Sequence, residues 1–129
     1  MKKIQYFRMT TTIEKIETFD EPNVWMGYKL IMSDPDMNII ARISNRSDCC
    51  EEWGMHTENN LDDFVGAEYH CMDVSDIIFY KDDIEMSSIH VSISTDCGEI
   101  VLIFYNKHNG YYPHDVSIIS DNNVKNISI

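Results

Sequence analysis

Two adjacent thiols sit among carboxylates in the run Ser47-Asp48-Cys49-Cys50-Glu51-Glu52-Trp53-Gly54. In a strand, neighbouring side chains point to opposite faces, and in a helix they diverge by about 100°. A bridge between neighbours would need a strained ring, because disulfides prefer a wider Cα separation than one peptide bond gives. The pair is therefore a packed thiol, a metal ligand or a reactive group. Nearby negative charge raises a thiol's pKa and keeps it a slow nucleophile, and Arg46 is the only local cation. The same carboxylates suit a bound cation. Metal binding thus ranks above nucleophilic chemistry, and simple packing above both.

A metal site would draw on Cys49, Cys50, His70, Cys71, His108 and His114, with zinc as the natural ion. The chain has no Cys-x-x-Cys or His-x-x-x-His pair, the spacing that zinc sites usually show. The plainer expectation is that Cys71 and Cys97 pack as small apolar groups and that no cofactor is held. Asp34, Asp36 and Asn38 imitate the start of a calcium loop. Ile39 and Asn45 stand where Gly and Glu are needed, so this is a turn.

A second dense cluster is Lys107-His108-Asn109-Gly110-Tyr111-Tyr112-Pro113-His114-Asp115. As structure it is an Asn-Gly reversal with Pro113 fixing the exit. As function it would present His108, Tyr111 and Tyr112 beside the end of a buried strand, able to stack on a base or clamp a peptide. The candidate binding residues in this cluster are therefore His108, Tyr111 and Tyr112. Adjacent acids (Glu51/Glu52, Asp62/Asp63, Asp82/Asp83) read as solvated pairs, not as a tuned acid and base. Isolated glycines exclude a phosphate-cradling loop, and no nucleophile elbow is present. No catalytic residue is assigned.

Charge narrows the partners. The net charge is −12, and residues 34–99 hold sixteen Asp/Glu against three Lys/Arg. Such a field repels phosphate backbones and anionic lipid, and favours a cation or a basic protein surface. A solvated surface that aids solubility is the ordinary alternative. The start Met1-Lys2-Lys3 resembles a signal peptide, but Gln5, Arg8 and Thr10 to Thr12 break the apolar stretch. Four cysteines without a paired framework suit a reducing compartment, so the chain reads as not secreted.

The positioning elements are strands. Period-two alternation with β-branched and aromatic residues marks Lys3 to Ile16, Val24 to Met32 and Asn38 to Ser44. Asp34-Pro35-Asp36 makes the turn between the last two. Residues 45–66 turn polar, with short helical turns expected at 48–53 and 60–65; Asn60 would cap the second and Gly66 end it. Tyr69 to Tyr80 resumes a strand, interrupted near Asp73. Ser88 to Ser94 and Glu99 to Tyr105 form a hairpin through Asp96-Cys97-Gly98. Ile100 to Phe104 is continuously apolar, as in a strand covered on both faces. Val116 to Ser120 closes the fold. The expectation is one domain over residues 1–129, mostly β (β-rich α+β), built as a single antiparallel sheet, sandwich or partial barrel with one or two short helices.

Four elements together carry a resemblance: Cys49-Cys50-Glu51-x-Trp53-Gly54, Asp63-Phe64-Val65-Gly66, Thr95-Asp96-Cys97-Gly98 and His108-Asn109-Gly110-Tyr111-Tyr112. Over residues 40–118 the chain resembles an uncharacterised domain family of small proteins from bacteriophages and large DNA viruses. The resemblance implies a viral origin and a β-rich fold, with no established activity, and it makes Cys50, Glu51, Trp53 and the turn Asn109 to Tyr112 family-pattern positions that either form one structural unit or, with His108, line a binding pocket. The Ile- and Asn-heavy composition is compatible with an AT-rich genome. The leading expectation is a non-enzymatic viral accessory protein in the host-cell cytoplasm or the virion. It would bind a host or viral protein with a basic surface, and neither nucleic acid nor membrane directly. The alternatives are a zinc-type domain with hydrolytic activity, and capture of a small ligand such as a nucleotide by Trp53, Tyr111 and Tyr112.

Overall fold

The computed structural model describes residues 10–46, 52–81, 85–107 and 113–129. These residues include ten strands: β1 (Ile13–Glu21), β2 (Trp25–Met32), β3 (Ile39–Ser44), β4 (Glu52–His56), β5 (Tyr69–Val74), β6 (Ile78–Lys81), β7 (Glu85–Thr95), β8 (Gly98–Lys107), β9 (Asp115–Ser120) and β10 (Asn123–Ser128). Two 3-10 turns, Pro35–Met37 and Leu61–Phe64, are the only helical elements among the described residues.

The strands make two antiparallel sheets. The first runs β1-β2-β3-β9-β10; the second runs β4-β8-β7-β5, with β6 also pairing β7. One face of each sheet is apolar, so the two faces close on each other. Leu30, Ile39, Ala41, Ile43, Val116 and Ile118 from the first meet Ile89, Val91, Ile93, Ile100, Leu102 and Phe104 from the second in one buried cluster. Tyr28 meets Phe104 edge-to-face at 6.1 Å within it. Of the architectures the sequence allowed, this is the sandwich.

Turn chemistry sets the register. Thr95 opposes Gly98 across the two-residue turn Asp96-Cys97, and Gly98 takes φ +122°, a conformation closed to most L-residues. Ser120 opposes Asn123 across Asp121-Asn122, and both turn residues have positive φ, as a tight reversal of this hand demands.

Several local expectations shift. Strand β4 begins at Glu52, so 52–53 is extended and not helical, because its pairing with Lys107 and Asn106 on β8 outweighs local preference; residues 48–51 lie outside the described residues. In the predicted helical turn at 60–65, Leu61–Phe64 forms a 3-10 turn, and no Asn60 side-chain bond caps it. The break in Tyr69 to Tyr80 falls at residues 75–77, after Val74. Strand β8 alternates buried with half-buried positions. Its apolar run therefore has one core face and one partly covered face, not two buried ones. Beyond Val116 to Ser120 the chain adds β10 at the edge of the first sheet.

The chain crosses between sheets twice at one corner. It leaves β3 for β4 and returns from β8 to β9, and the sheet partners are β3 with β9 and β4 with β8. Because Ile43 opposes Val116 and Glu52 opposes Lys107, both crossings lie at the same end of the sandwich.

Candidate functional site

Three regions could do chemistry: the crossover corner, the opposite end of the sandwich, and the outer face of the second sheet. The corner holds the described parts of both sequence clusters. Trp53 opposes the buried Asn106 and so faces inward from β4. Its ring stacks on His114 with centroids 4.6 Å apart and planes 27° apart. His114 lies just before β9, in the other sheet, and is 2% exposed. Its Nδ1 is 3.0 Å from the Ser44 carbonyl oxygen, which can only accept, so this nitrogen carries the hydrogen in that bond. The Ser44 hydroxyl accepts from the Asp115 N–H at 3.1 Å. His114 and Ile129 exchange two backbone bonds of 2.8 Å, and Lys107 Nζ reaches Glu52 Oε1 at 3.3 Å. A stacked, enclosed imidazole bonded to main chain is an anchor between sheets.

Trp53 and His114 are thus brought together. Cys49, Cys50, Glu51, His108, Asn109, Tyr111 and Tyr112 lie outside the described residues. His70 and Cys71 sit on β5, separated from β4 by β7 and β8, a span of roughly 14 Å at the usual strand spacing. The structure therefore does not gather His70 and Cys71 with Trp53 and His114. Among the described residues, no three of His, Cys, Asp and Glu form a group able to hold a metal ion.

Cys71 and Cys97 are free and exposed, not packed as expected. Cys71 opposes Ser94 on the outward side of β5, and Cys97 sits at the tip of its two-residue turn. The hydrogen bond to Asp96 pushes the Cys97 thiol up, with desolvation and the Asp96 charge adding to it. That makes it a poor nucleophile.

The end opposite the corner is acidic. There the Glu68 and Asp96 main chains are tied together, with Asp96 N–H donating to the Glu68 carbonyl at 3.1 Å. Glu68 N–H donates to Asp96 Oδ1 at 2.8 Å. That bond, followed by the one from the Cys97 thiol, holds the Asp96 carboxyl below the usual range. The Tyr69 N–H bonds the Thr11 carbonyl, and Gly66 and Ala67 bond Ile13, docking the start of β5 against the start of β1. Asp34 donates its N–H to Thr11 Oγ1 at 3.2 Å.

These ties frame a cleft of about 890 Å³ whose lining includes Asp34, Glu68, Tyr69, His70, Cys71 and Asp121. Its described lining contains three carboxylates and no Lys or Arg. Burial, then Cys71 and Asp121, push the Tyr69 phenol up, so it remains a neutral donor. Asp36, Asp62 and Asp63 stand exposed on the 3-10 turns around this end, and Glu99 at the start of β8. The sequence marked the acidic middle but not the cleft, since Asp34, Glu68 and Asp121 are far apart in the chain.

The outer face of the second sheet carries a groove of about 310 Å³ over β6, β7, β8 and β4. Its floor includes Ser88, which is 1% exposed and whose hydroxyl has no hydrogen-bond partner. An unmet buried hydroxyl costs about 1–3 kcal/mol. No motif in the sequence pointed here.

An antiparallel β-sandwich with an acidic turn-end and a tied crossover corner is the class of protein these features define. The family model described as "Domain of unknown function (DUF7448)" matches residues 4–118, and the chain belongs to that family. No curated protein and no solved structure matches it. Among the described residues, no helix is long and apolar enough to cross a membrane.

Proposed function

We propose that this is a viral accessory protein, non-enzymatic, that binds a basic protein surface through the acidic end of the sandwich. The observation that carries the reading is the cleft lined by Asp34, Glu68 and Asp121 with no compensating Lys or Arg among its described lining. A lysine or arginine side chain entering it would meet three carboxylates and the neutral Tyr69 hydroxyl. The surrounding Asp36, Asp62, Asp63 and Glu99 would steer a basic partner toward the opening. The net charge of −12 makes that steering strong at low ionic strength. The viral setting rests on the resemblance in the four sequence elements above.

The test uses an arginine-rich peptide as probe, mapped by backbone amide shifts and repeated at low and high salt. The expected shifts cluster on Asp34, Glu68 to Met72 and Asp121, and association slows as salt rises. The triple variant Asp34→Asn, Glu68→Gln, Asp121→Asn should weaken binding about tenfold, a loss near 1.4 kcal/mol. Shifts spread evenly over the surface, or binding indifferent to salt and to the triple variant, would sink the reading.

A further inference from the structure

The outer face of the second sheet has a feature that acidic docking does not use. Ser88 lies between Ile78 of β6 and Tyr105 of β8 in the pairing register. One strand further, Gly54 opposes Tyr105. A Cβ on Gly54 would come within 3.0 Å of the Tyr105 hydroxyl oxygen, so the absent side chain lets that ring lie over β4. The groove lies over Ser88 and beside this ring. Its walls are Tyr80, Tyr105, His56 and His90, with Met86 and Ile103 completing the apolar surface and Lys107 at one end. Lys107 is already engaged by Glu52 at 3.3 Å.

We infer that this groove binds a small, uncharged nitrogen-heteroaromatic molecule of the nucleobase or nucleoside class, whose polar edge hydrogen-bonds the Ser88 hydroxyl. Four flat rings favour a flat ligand that can stack. Its volume of about 310 Å³ is at the lower end for small-molecule sites, roughly 300–1,000 Å³. Hydroxyls and imidazoles would be stranded against an alkyl chain, which argues against a lipid or aliphatic occupant. An extended peptide adds at a sheet edge, whereas β7 and β8 under the groove are paired on both sides. A phosphate is disfavoured because Lys107, the only Lys or Arg in the described lining, is paired with Glu52, and the chain carries −12.

The experiment titrates the full chain with adenosine, uridine, AMP and cyclohexanol, mapping backbone amide shifts. Wild type is compared with Ser88→Ala and Ser88→Val. Expected is a saturable response to at least one nucleoside on Gly54 to His56, Ser88 to His90 and Ile103 to Lys107. AMP should bind more weakly than adenosine, and cyclohexanol should give no saturable shift. Ser88→Ala should weaken the nucleoside about tenfold, and Ser88→Val, which fills the floor, should abolish binding. Since the Ser88 hydroxyl has no partner, Ser88→Ala should melt no lower than wild type, which separates lost binding from lost folding. The inference is overturned if neither nucleoside saturates, or if the shifts map elsewhere. It also fails if cyclohexanol or AMP binds as well as the nucleosides, or if both Ser88 variants bind like wild type.

Discussion

The two ends of the sandwich are built on opposite principles. At the crossover corner, side chains carry the ties: Trp53 stacks on His114, Lys107 meets Glu52, and the Ser44 hydroxyl accepts the Asp115 backbone N–H. At the acidic end, main-chain bonds join Glu68 with Asp96 and Thr11 with Tyr69, and the Asp96 carboxylate and Thr11 hydroxyl accept further backbone N–H groups. Carboxylates there are left facing a cleft and solvent. Every one of those ties involves a backbone group, and none is a side-chain ion pair. The contrast separates an end that stabilises from an end available to a partner.

Removing the stack tests this most severely. Trp53→Ala should destabilise by about 3 kcal/mol, the usual cost of truncating a large aromatic, read from urea unfolding. A loss below about 1 kcal/mol would mean the corner does not tie the sheets. Ser44→Ala is gentler: it removes the acceptor for the Asp115 N–H and should cost about 1 kcal/mol. At the other end, the triple variant Asp34→Asn, Glu68→Gln, Asp121→Asn should leave stability within about 0.5 kcal/mol of wild type. Any gain from relieved repulsion should appear at low salt and vanish at high salt. A large destabilisation there would erase the distinction between the ends.

Asp96→Asn should have the smallest effect and is read from pH dependence. The Asp96 carboxyl sits below its ordinary value because it accepts the Glu68 N–H. Its contribution is therefore present above the unfolded carboxylate pKa of about 4 and fades as pH falls through the lower folded value. Wild type should be the more stable at neutral pH, and the two proteins should converge in stronger acid. A gap that persists unchanged into strong acid would contradict the assignment.

Much of the fold was legible because its signals are local. The alternation in Val24 to Met32 and Asn38 to Ser44, and Gly98 after Asp96-Cys97, encode pleat and turn within a few residues. Strand β10 carries no such signal because Asn123 to Asn126 is exposed at a sheet edge, where no core face imposes alternation. Its signal was the turn pair Asp121-Asn122, two residue types that tolerate positive φ. The start of β4 was misread because Glu52 and Trp53 extend only through pairing with β8. The site was less legible still. Trp53 stands among the candidate binding residues, and the partner its ring stacks on, His114, lies sixty residues away along the chain. The next residue, Gly54, points outward under Tyr105 and shapes the groove.

By itself the sequence determined a β-rich chain, its turns and the acid-rich stretch from 34 to 99, since these follow from residue type and near-neighbour spacing. Only the tertiary structure decided that Asp34, Glu68 and Asp121 share a cleft, that Trp53 meets His114, and that Ser88 lies beneath a hollow. The reason is register. Sheet pairing brings together residues whose separation along the chain says nothing of their distance in space, and it alone chooses the face each side chain occupies.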